Sequence, residues 1–189
     1  FDLDNALKSI TKASSRGLIL PFLNGLTHLN ALDAAFGKDR VMGGVAHIAA
    51  TITESGAVKQ LTDLGSLTIG PRAHSQEALS KEFFALCKKA DFDSFYKENI
   101  EQALWDKWVF LATLAGMTTI CRGSIGEIIA TPDGKEMSRR MFAECCAIAA
   151  SCGNLIADNV QASSLEILTK EGSPFTASML RDLLAGKQN

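Results

Sequence analysis

The feature that most constrains the fold is a change in hydrophobic periodicity between Arg72 and Ser75. Before this point, short apolar runs alternate with glycine-containing turns. After it, apolar residues recur every three or four positions almost to the end of the chain. Short apolar runs bounded by turns are typical of strands, and a period near 3.6 residues is typical of helices. The sequence therefore predicts an α/β domain over residues 1–73 and an all-α domain over residues 74–189.

The α/β part is predicted to contain two helices and a small set of buried strands. A near-continuous apolar run such as residues 17–25 suits a parallel strand that is covered on both faces. The order helix, strand, helix, strand and hairpin is what the second half of an α/β nucleotide-binding domain contains. We expect one helix to end near Lys12 and another to span 27–36, with strands over 17–25, 41–53, 57–61 and 66–69.

The all-α part is predicted to contain six helices, separated by glycines and one proline. Ser173 and Pro174 suit the start of the last helix, because serine caps helix N-termini and proline is favoured at the first helical position. The expected helices span 75–90, 99–116, 123–130, 133–154, 158–171 and 173–186.

The charge and hydropathy of the chain argue against two classes of partner. The 189 residues have a formal net charge of −2 and a pI near 5.9. Proteins that bind nucleic acid or acidic membranes are usually basic, and this charge and pI are not. The most apolar stretch, residues 108–117, is about half the roughly 18–20 residues needed to span a bilayer. We therefore expect no nucleic-acid partner and no membrane partner.

The five cysteines and three histidines do not form a recognisable metal or disulfide pattern. No two cysteines form a Cys-x-x-Cys pair, and no histidine has a second histidine four residues away. We therefore expect buried free thiols, no metal site and a reducing cytoplasmic location.

Lys107 is the most informative single residue on physical grounds. Its helical neighbours three and four residues away are all apolar, and an ammonium group on such a face has two outcomes. The side chain either extends along its aliphatic stem to reach water, or it is held in a cleft with a lowered pKa. A desolvated lysine can donate a proton to a developing alkoxide. The four neighbours are Ala103, Leu104, Phe110 and Leu111.

Two other motifs are candidate ligand sites, each with an ordinary structural alternative. Asn24-Gly25 follows a predicted parallel strand, and ligands of open α/β sheets bind at the carboxyl ends of strands. The alternative is a plain turn, for which Asn-Gly is a strong signal. Ser178 and Arg181 are three residues apart on the last helix, and a hydroxyl with a guanidinium can hold a carboxylate. The alternative is an unremarkable surface pair.

The order of the motifs resembles the ketopantoate reductase family, the 2-dehydropantoate 2-reductases. The resemblance implies the C-terminal part of a Rossmann-like domain that binds NADP. An all-helical domain like the C-terminal domain of 6-phosphogluconate dehydrogenase would follow it. It further implies NADPH-dependent reduction of a 2-keto acid to a 2-hydroxy acid, as in pantothenate biosynthesis, and a homodimer. The motifs are Leu20-Pro-Phe-Leu-Asn-Gly-Leu26, Gly43-Gly-Val-Ala-His47, Leu104-Trp-Asp-Lys107, Gly126-Glu127 and Thr176-Ala-Ser-Met-Leu180.

The resemblance implies a role for each matching position. Lys107 matches the lysine that protonates the keto oxygen, and Asn24 matches an asparagine that contacts both cofactor and substrate. Ala49 falls where a strand backbone approaches the cofactor. Ser178 matches a serine that binds the substrate carboxylate, and the segment as far as Arg181 lines the same pocket.

The chain also departs from the family pattern. Leu111, Ala115 and Ile125 stand where the family has substrate-binding asparagines. This predicts a 2-keto acid other than ketopantoate, or a bulkier and less polar carbonyl compound. The family's glycine-rich loop would precede Phe1 and one of its glutamates would follow Asn189, so we expect that the chain alone does not reduce substrate.

Two alternatives compete with the reductase hypothesis. The first is a catalytically silent helical dimerisation module derived from the same family, since an apolar pocket can equally be an apolar packing surface. The second is chemistry of the 6-phosphogluconate or hydroxyacid dehydrogenase type, which shares the two-domain plan but has no matching motif in this sequence.

Overall fold

The computed structural model describes residues 3–13 and 17–186. The chain divides into two compact units, Phe1–Leu104 and Trp105–Asn189. The longest helix, α4 (Ile100–Cys121), begins in the first unit and continues into the second.

Among its described residues, the first unit contains three complete helices, the start of α4 and a three-stranded sheet of order β1-β2-β3. β1 and β2 form an antiparallel hairpin, and β3 pairs in parallel with β2. Short 3-10 turns lie at Lys38–Arg40 and His74–Gln76. The elements are α1 (Leu3–Ala13), α2 (Thr27–Phe36), β1 (Gly43–Ile52), β2 (Val58–Gly70), α3 (Glu77–Cys87) and β3 (Asp93–Tyr96).

The predicted strand over residues 17–25 is reduced to a single parallel bridge between Ile19 and Val41. The amide of Ile19 donates to the Arg40 carbonyl at 2.7 Å, and the amide of Met42 donates to the Ile19 carbonyl at 2.9 Å. The next bond of a parallel ladder would require an amide hydrogen at position 21. That residue is proline, which has none, so the ladder ends there.

The strand β3 extends the first unit beyond the boundary predicted at residue 73. Its four residues pair with β2 from Ser66↔Asp93 to Ile69↔Tyr96, although the sequence pattern predicted only helices after Ser75. This pairing attaches the intervening helix α3 to the sheet. The division into compact units falls between Leu104 and Trp105, and the domain boundary near residue 73 stays a prediction.

Glycines at the base of the hairpin leave room for the start of α4. Gly43 and Gly70 are partners across the hairpin, and a Cβ atom at Gly43 would lie 2.6 Å from Cγ2 of Ile100. Ile100 is fully buried as a result. It belongs to the core of this unit with Leu29, Leu32, Val41, Val45 and Leu104.

Apart from the connections, residues 105–186 of the second unit are helical. Its core is built around α4, whose Val109 and Leu114 are buried together with Phe142 from α6 and Leu168 from α7. The helices after α4 are α5 (Ile125–Ile129), α6 (Gly134–Ser151), α7 (Asp158–Leu168) and α8 (Ser178–Leu184).

The last helix begins at Ser178, so the predicted start at Ser173 is wrong. The hydroxyl of Ser173 accepts a hydrogen bond from the Phe175 amide at 3.3 Å, which makes a local turn rather than a helix cap. The carbonyl oxygens of Ser173 and Phe175 accept hydrogen bonds from Gly126 and Ile125 instead of from a following helical turn.

The remaining general expectations concern cysteines, metals and membranes. All five cysteines are free, with Cys87 and Cys145 buried but Cys121 and Cys152 exposed. Across residues 3–13 and 17–186, no group of three or more His, Cys, Asp or Glu side chains could hold a metal ion. None of the helices in those same ranges is both long enough and apolar enough to cross a bilayer.

Candidate functional site

Lys107 lies two turns into α4 and is half-buried. Phe110 and Leu111, one turn further along the same face, are also partly buried and pack against the core of the second unit. Removal of the ammonium from water lowers the pKa of Lys107 below its ordinary value of 10.5. This direction favours the desolvated interpretation of Lys107 over one in which the side chain extends fully into water.

The segment 172–177, which precedes α8, is attached to the start of α5 by its backbone. The amide of Ile125 donates to the Phe175 carbonyl at 3.0 Å, and the amide of Gly126 donates to the Ser173 carbonyl at 2.8 Å. A Cβ atom at Gly126 would lie 2.5 Å from the Ser173 nitrogen, so only glycine permits this approach. The segment therefore has a defined path against α5.

An aromatic pair connects the same segment to α4. The rings of Phe110 and Phe175 stack with their centroids 6.3 Å apart and an angle of 29° between their planes. Further along α4, the hydroxyl of Thr118 accepts a hydrogen bond from the Ala177 amide at 3.4 Å. The segment that leads to α8 thus packs against the helix that contains Lys107, and Phe110 is one helical turn from that lysine.

Ser178 and Arg181 are both exposed and lie in α8. Their spacing of three residues in a helix gives them a common face, as the sequence predicted. Ser178 directly follows Ala177, the residue bonded to α4. Lys107, Ser178 and Arg181 therefore belong to the same compact unit, whereas Asn24 and Ala49 belong to the other.

Asn24 is exposed in a turn of the first unit, where Gly25 adopts a positive φ of 82°. The chain just before it passes close to β1, because a Cβ atom at Gly44 would lie 2.8 Å from the Pro21 carbonyl oxygen. Gly44 is therefore needed for this close approach, which sets the position of the Asn24 turn relative to β1.

Ala49 is half-buried at an irregular point of β1. The register with β2 shifts there, since Ile48 pairs with Gly65 but Ala50 pairs with Gln60. A nearby depression of about 650 Å³ is lined by Ile48 and Gln60 together with residues around Phe92. None of the five predicted site residues lines it.

A buried ion-pair network in the first unit was not predicted from the sequence. The Arg72 guanidinium, whose side chain is 6% exposed, donates to both carboxylate oxygens of Asp33 at 2.7 and 2.8 Å. It also donates to Glu101 at 3.3 Å, in the first turn of α4. The hydrogen bonds from Arg72 to Asp33 are the main reason that the pKa of Arg72 is raised.

His28 lies near this network and is 5% exposed. Within the described part of the chain, neither of its ring nitrogens has a hydrogen-bond partner. Burial, and secondarily the charge of Arg72, lower the pKa of His28 below its ordinary value of 6.5. The imidazole is therefore neutral at pH 7, which the sequence alone did not indicate.

Glu127 has a structural role at the start of α5. Its carboxylate accepts hydrogen bonds from the Ser124 amide and hydroxyl, both at 2.7 Å, and these bonds lower the pKa of Glu127. The Ser124 hydroxyl accepts from the Glu127 amide in return, which completes a capping box. The Gly126-Glu127 motif thus forms the beginning of a helix.

Two models of known protein families match the sequence of this chain. The family model described as Ketopantoate reductase PanE/ApbA matches residues 1–74, and that described as Ketopantoate reductase PanE/ApbA C terminal matches residues 99–189. This chain belongs to the ketopantoate reductase family. Its fold is accordingly a Rossmann-like portion followed by an all-helical domain, as predicted. The likeness of the helical domain to the C-terminal domain of 6-phosphogluconate dehydrogenase stays a prediction.

Two individual relatives of this ketopantoate reductase family member are similar to it over most or all of its length. It is 29% identical over 174 residues to the uncharacterised oxidoreductase YkpB of Bacillus subtilis strain 168, covering 90% of this chain and 56% of that protein. The crystal structure of 2-dehydropantoate 2-reductase from Geobacter metallireducens GS-15 is 26% identical with a TM-score of 0.88, covering 100% of this chain and 63% of that one. The chain therefore spans about three fifths of the length of these relatives.

A third similarity is one of fold alone. The structure of a D-mandelate dehydrogenase in complex with NADH matches with a TM-score of 0.86 at 20% identity, covering 100% of this chain and 64% of that one.

The three positions at which the resemblance implies asparagines have different surroundings. Ile125 is fully buried in the core of the second unit. Leu111 and Ala115 are partly buried on the face of α4 that contains Lys107, and both pack against that core. All three side chains therefore contribute to packing, and Leu111 and Ala115 also make this face of α4 apolar.

Proposed function

We propose that this chain is part of an oxidoreductase that reduces a 2-keto acid to the corresponding 2-hydroxy acid with NADPH. The observation that supports it most is the partial burial of Lys107, with a lowered pKa, in a member of the ketopantoate reductase family. Because the chain spans only part of its relatives' length, the proposal concerns the natural full-length protein.

Lys107 is the proposed proton donor. When bound, the reduced nicotinamide supplies the hydride that adds to the carbonyl carbon. The electron pair of the broken C=O π bond moves to oxygen, and the Lys107 ammonium donates its proton to that alkoxide. Lys107 is then neutral and recovers a proton from water. A lowered pKa assists the donation because it makes the ammonium a stronger acid.

Ser178 and Arg181 are the proposed carboxylate-binding residues. The Ser178 hydroxyl and the Arg181 guanidinium both donate hydrogen bonds, and both side chains are exposed on α8. A carboxylate accepts such bonds readily, and those from a guanidinium are strengthened by charge.

The cofactor assignment rests on the resemblance and on the donor groups in this chain. Asn24 has an exposed amide in a turn with Gly25, and Ala49 lies at a register shift of β1. An amide and an irregular strand backbone fit the polar groups at the nicotinamide end of a dinucleotide. Asn24 and Ala49 are not proposed to hold the pyrophosphate. A G-x-G-x-x-G motif commonly does so, and none occurs among the 189 residues.

The test uses the full-length protein with a panel of 2-keto acids, supplied with NADPH or with NADH. We expect NADPH-dependent turnover, and we expect Lys107→Ala to lower kcat by about 10²–10⁴-fold because a positioned acid contributes that much. Lys135→Ala, at an exposed lysine of α6, is the matched control and should retain activity. Unchanged turnover in Lys107→Ala would exclude Lys107 as the donor.

A second candidate function is a helical dimerisation module without catalytic activity. It is favoured by the full burial of Ile125 and the packing of Leu111 and Ala115 against the core, since these positions then serve packing alone. Sedimentation of the full-length protein and titration with NADPH separate the two. A dimer that binds no nucleotide and reduces no keto acid would support this second function.

A further inference from the structure

We infer that the site beside Lys107 takes a 2-keto acid with an aromatic side chain, and that the ring pair Phe110 and Phe175 recognises it. The inference rests on the proposed function, because Lys107 must face the keto oxygen for these rings to face the side chain.

The surface of α4 that continues from Lys107 is apolar. Phe110 and Leu111 lie one turn further on, and Ala115 lies on the next turn. One turn advances the helix by about 5.4 Å, which is comparable to the reach of a benzylic side chain from its carbonyl carbon. All three residues are apolar and only partly buried, so each keeps some surface that a ligand can cover.

Phe175 combines a stacked ring with considerable exposure to solvent. Its ring stacks on that of Phe110, yet the residue is 42% exposed, so it keeps surface that a ligand can cover. Its backbone is fixed by the hydrogen bond from the Ile125 amide. Aromatic rings attract one another in offset arrangements with centroids about 4.5–7 Å apart. A ligand ring can therefore join a pair that already has this geometry.

The same face of α4 would disfavour a polar side chain. Leu111 and Ala115 are partly buried there and have no side-chain groups that form hydrogen bonds. A hydroxyl group placed beside them would lose its bonds to water without replacement, which is unfavourable. An aromatic ring loses nothing in this way and gains from burial, so the site discriminates in favour of the ring.

The experiment measures kcat/KM of the full-length protein with NADPH for phenylpyruvate, pyruvate and ketopantoate. We expect phenylpyruvate to be preferred over the other two by roughly tenfold, the size of one good aromatic contact together with its buried area. Phe175→Leu should remove most of this preference through a higher KM for phenylpyruvate. Phe175→Tyr keeps a ring and should retain the preference.

Phe83→Leu is the matched control, since Phe83 is 39% exposed but lies on α3 in the other unit. It should leave all three kcat/KM values unchanged. Equal kcat/KM for phenylpyruvate and pyruvate in the wild-type protein would overturn the inference and leave the proposed function standing.

Absence of turnover with any keto acid would overturn the proposed function instead. In that case, ligand-observed NMR with phenylpyruvate as the probe, and without NADPH, tests whether the ring pair binds an aromatic keto acid. Binding that is lost in Phe175→Leu and kept in Phe175→Tyr supports recognition by the ring pair. Equal binding to all of these variants, or no binding to the wild-type protein, overturns it.

Discussion

The partial burial of Lys107 connects its location to the pH at which it can act. The charged form of a lysine is the form that loses most when water is removed, so its proton leaves at a lower pH than usual. Phe110 and Leu111, one turn along α4, are apolar and partly buried. A proton donor in this environment is a stronger acid but is available over a narrower pH range.

This gives a prediction for the pH–rate profile of the full-length protein. kcat/KM for the preferred keto acid should fall on the alkaline side with a midpoint below 10.5, because the donor is lost as pH rises through the lowered pKa of Lys107. The measurement is initial rate against pH at low substrate concentration. In Lys107→Ala the residual rate should lack this alkaline limb, and a limb that persists unchanged belongs to another group.

His28 predicts a pH dependence of stability rather than of rate. Its pKa is lowered in the folded protein, so between that pKa and the ordinary value of 6.5 the unfolded chain binds more protons than the folded one. The free energy of unfolding should therefore be undiminished above about pH 6.5 and decrease as pH falls below it. Urea unfolding at a series of pH values measures this.

The control for His28 is a second histidine in a different environment. His28→Leu should flatten the dependence between about pH 5 and pH 7, since the group that titrates is removed. His74→Ala should preserve most of it, because the His74 side chain is 95% exposed. If His28→Leu has the same slope as the wild type, the acid sensitivity arises elsewhere.

Among the elements, the contact between α5 and the segment 172–177 predicts a steric effect. Gly126→Ala would place a Cβ atom 2.5 Å from the Ser173 nitrogen, a backbone atom that cannot rotate away. We expect a loss of roughly 1–3 kcal/mol in the free energy of unfolding, as for other overpacked sites. Gly123→Ala meets its nearest atom, in Glu127, at 3.4 Å and should change stability by less than about 0.5 kcal/mol.

The sequence predicted the helices more accurately than the strands, for physical reasons. The apolar spacing in α2 predicted residues 27–36, and the helix spans Thr27–Phe36. The strand β3 has only the four residues Asp93–Tyr96, too few for an alternating pattern to be recognised. At Pro21, composition predicted a strand, but the missing amide hydrogen ended the ladder.

For the molecule as a whole, Arg72 links parts of the first unit that are far apart in sequence. It bonds Asp33 of α2, the carbonyl of Val41 and Glu101 of α4. Arg72→Ala would leave the Asp33 carboxylate without its partner in a partly buried position. Loss of one member of such a pair costs about 3–5 kcal/mol, which urea unfolding followed by circular dichroism would measure.

A surface ion pair is the appropriate comparison for Arg72. Lys81 lies 3.6 Å from Glu77 within α3, and its side chain is 59% exposed. Lys81→Ala should cost less than about 0.5 kcal/mol, because exposed pairs are weakened by water and salt. A similar loss in both variants would mean that Arg72 contributes no more than a surface charge.

The sequence indicated only those features of the candidate site that depend on residues close together in the chain. The apolar neighbours of Lys107 all lie within four residues of it, so the helical spacing alone indicated an unusual lysine. Phe110 and Phe175 meet only because the segment 172–177 bonds to α5, and no local pattern indicates that contact. The roles of Lys107, Asn24, Ala49, Ser178 and Arg181 stay predictions.

The main-chain attachment of the segment 172–177 has an evolutionary consequence. Ile125 and Gly126 donate to the carbonyl oxygens of Phe175 and Ser173, and every amino acid has such an oxygen. A single codon change at position 175 therefore exchanges the ring for another side chain and keeps the support beneath it. After gene duplication, proteins with this backbone-held segment can therefore change the substrate that they bind without first losing stability.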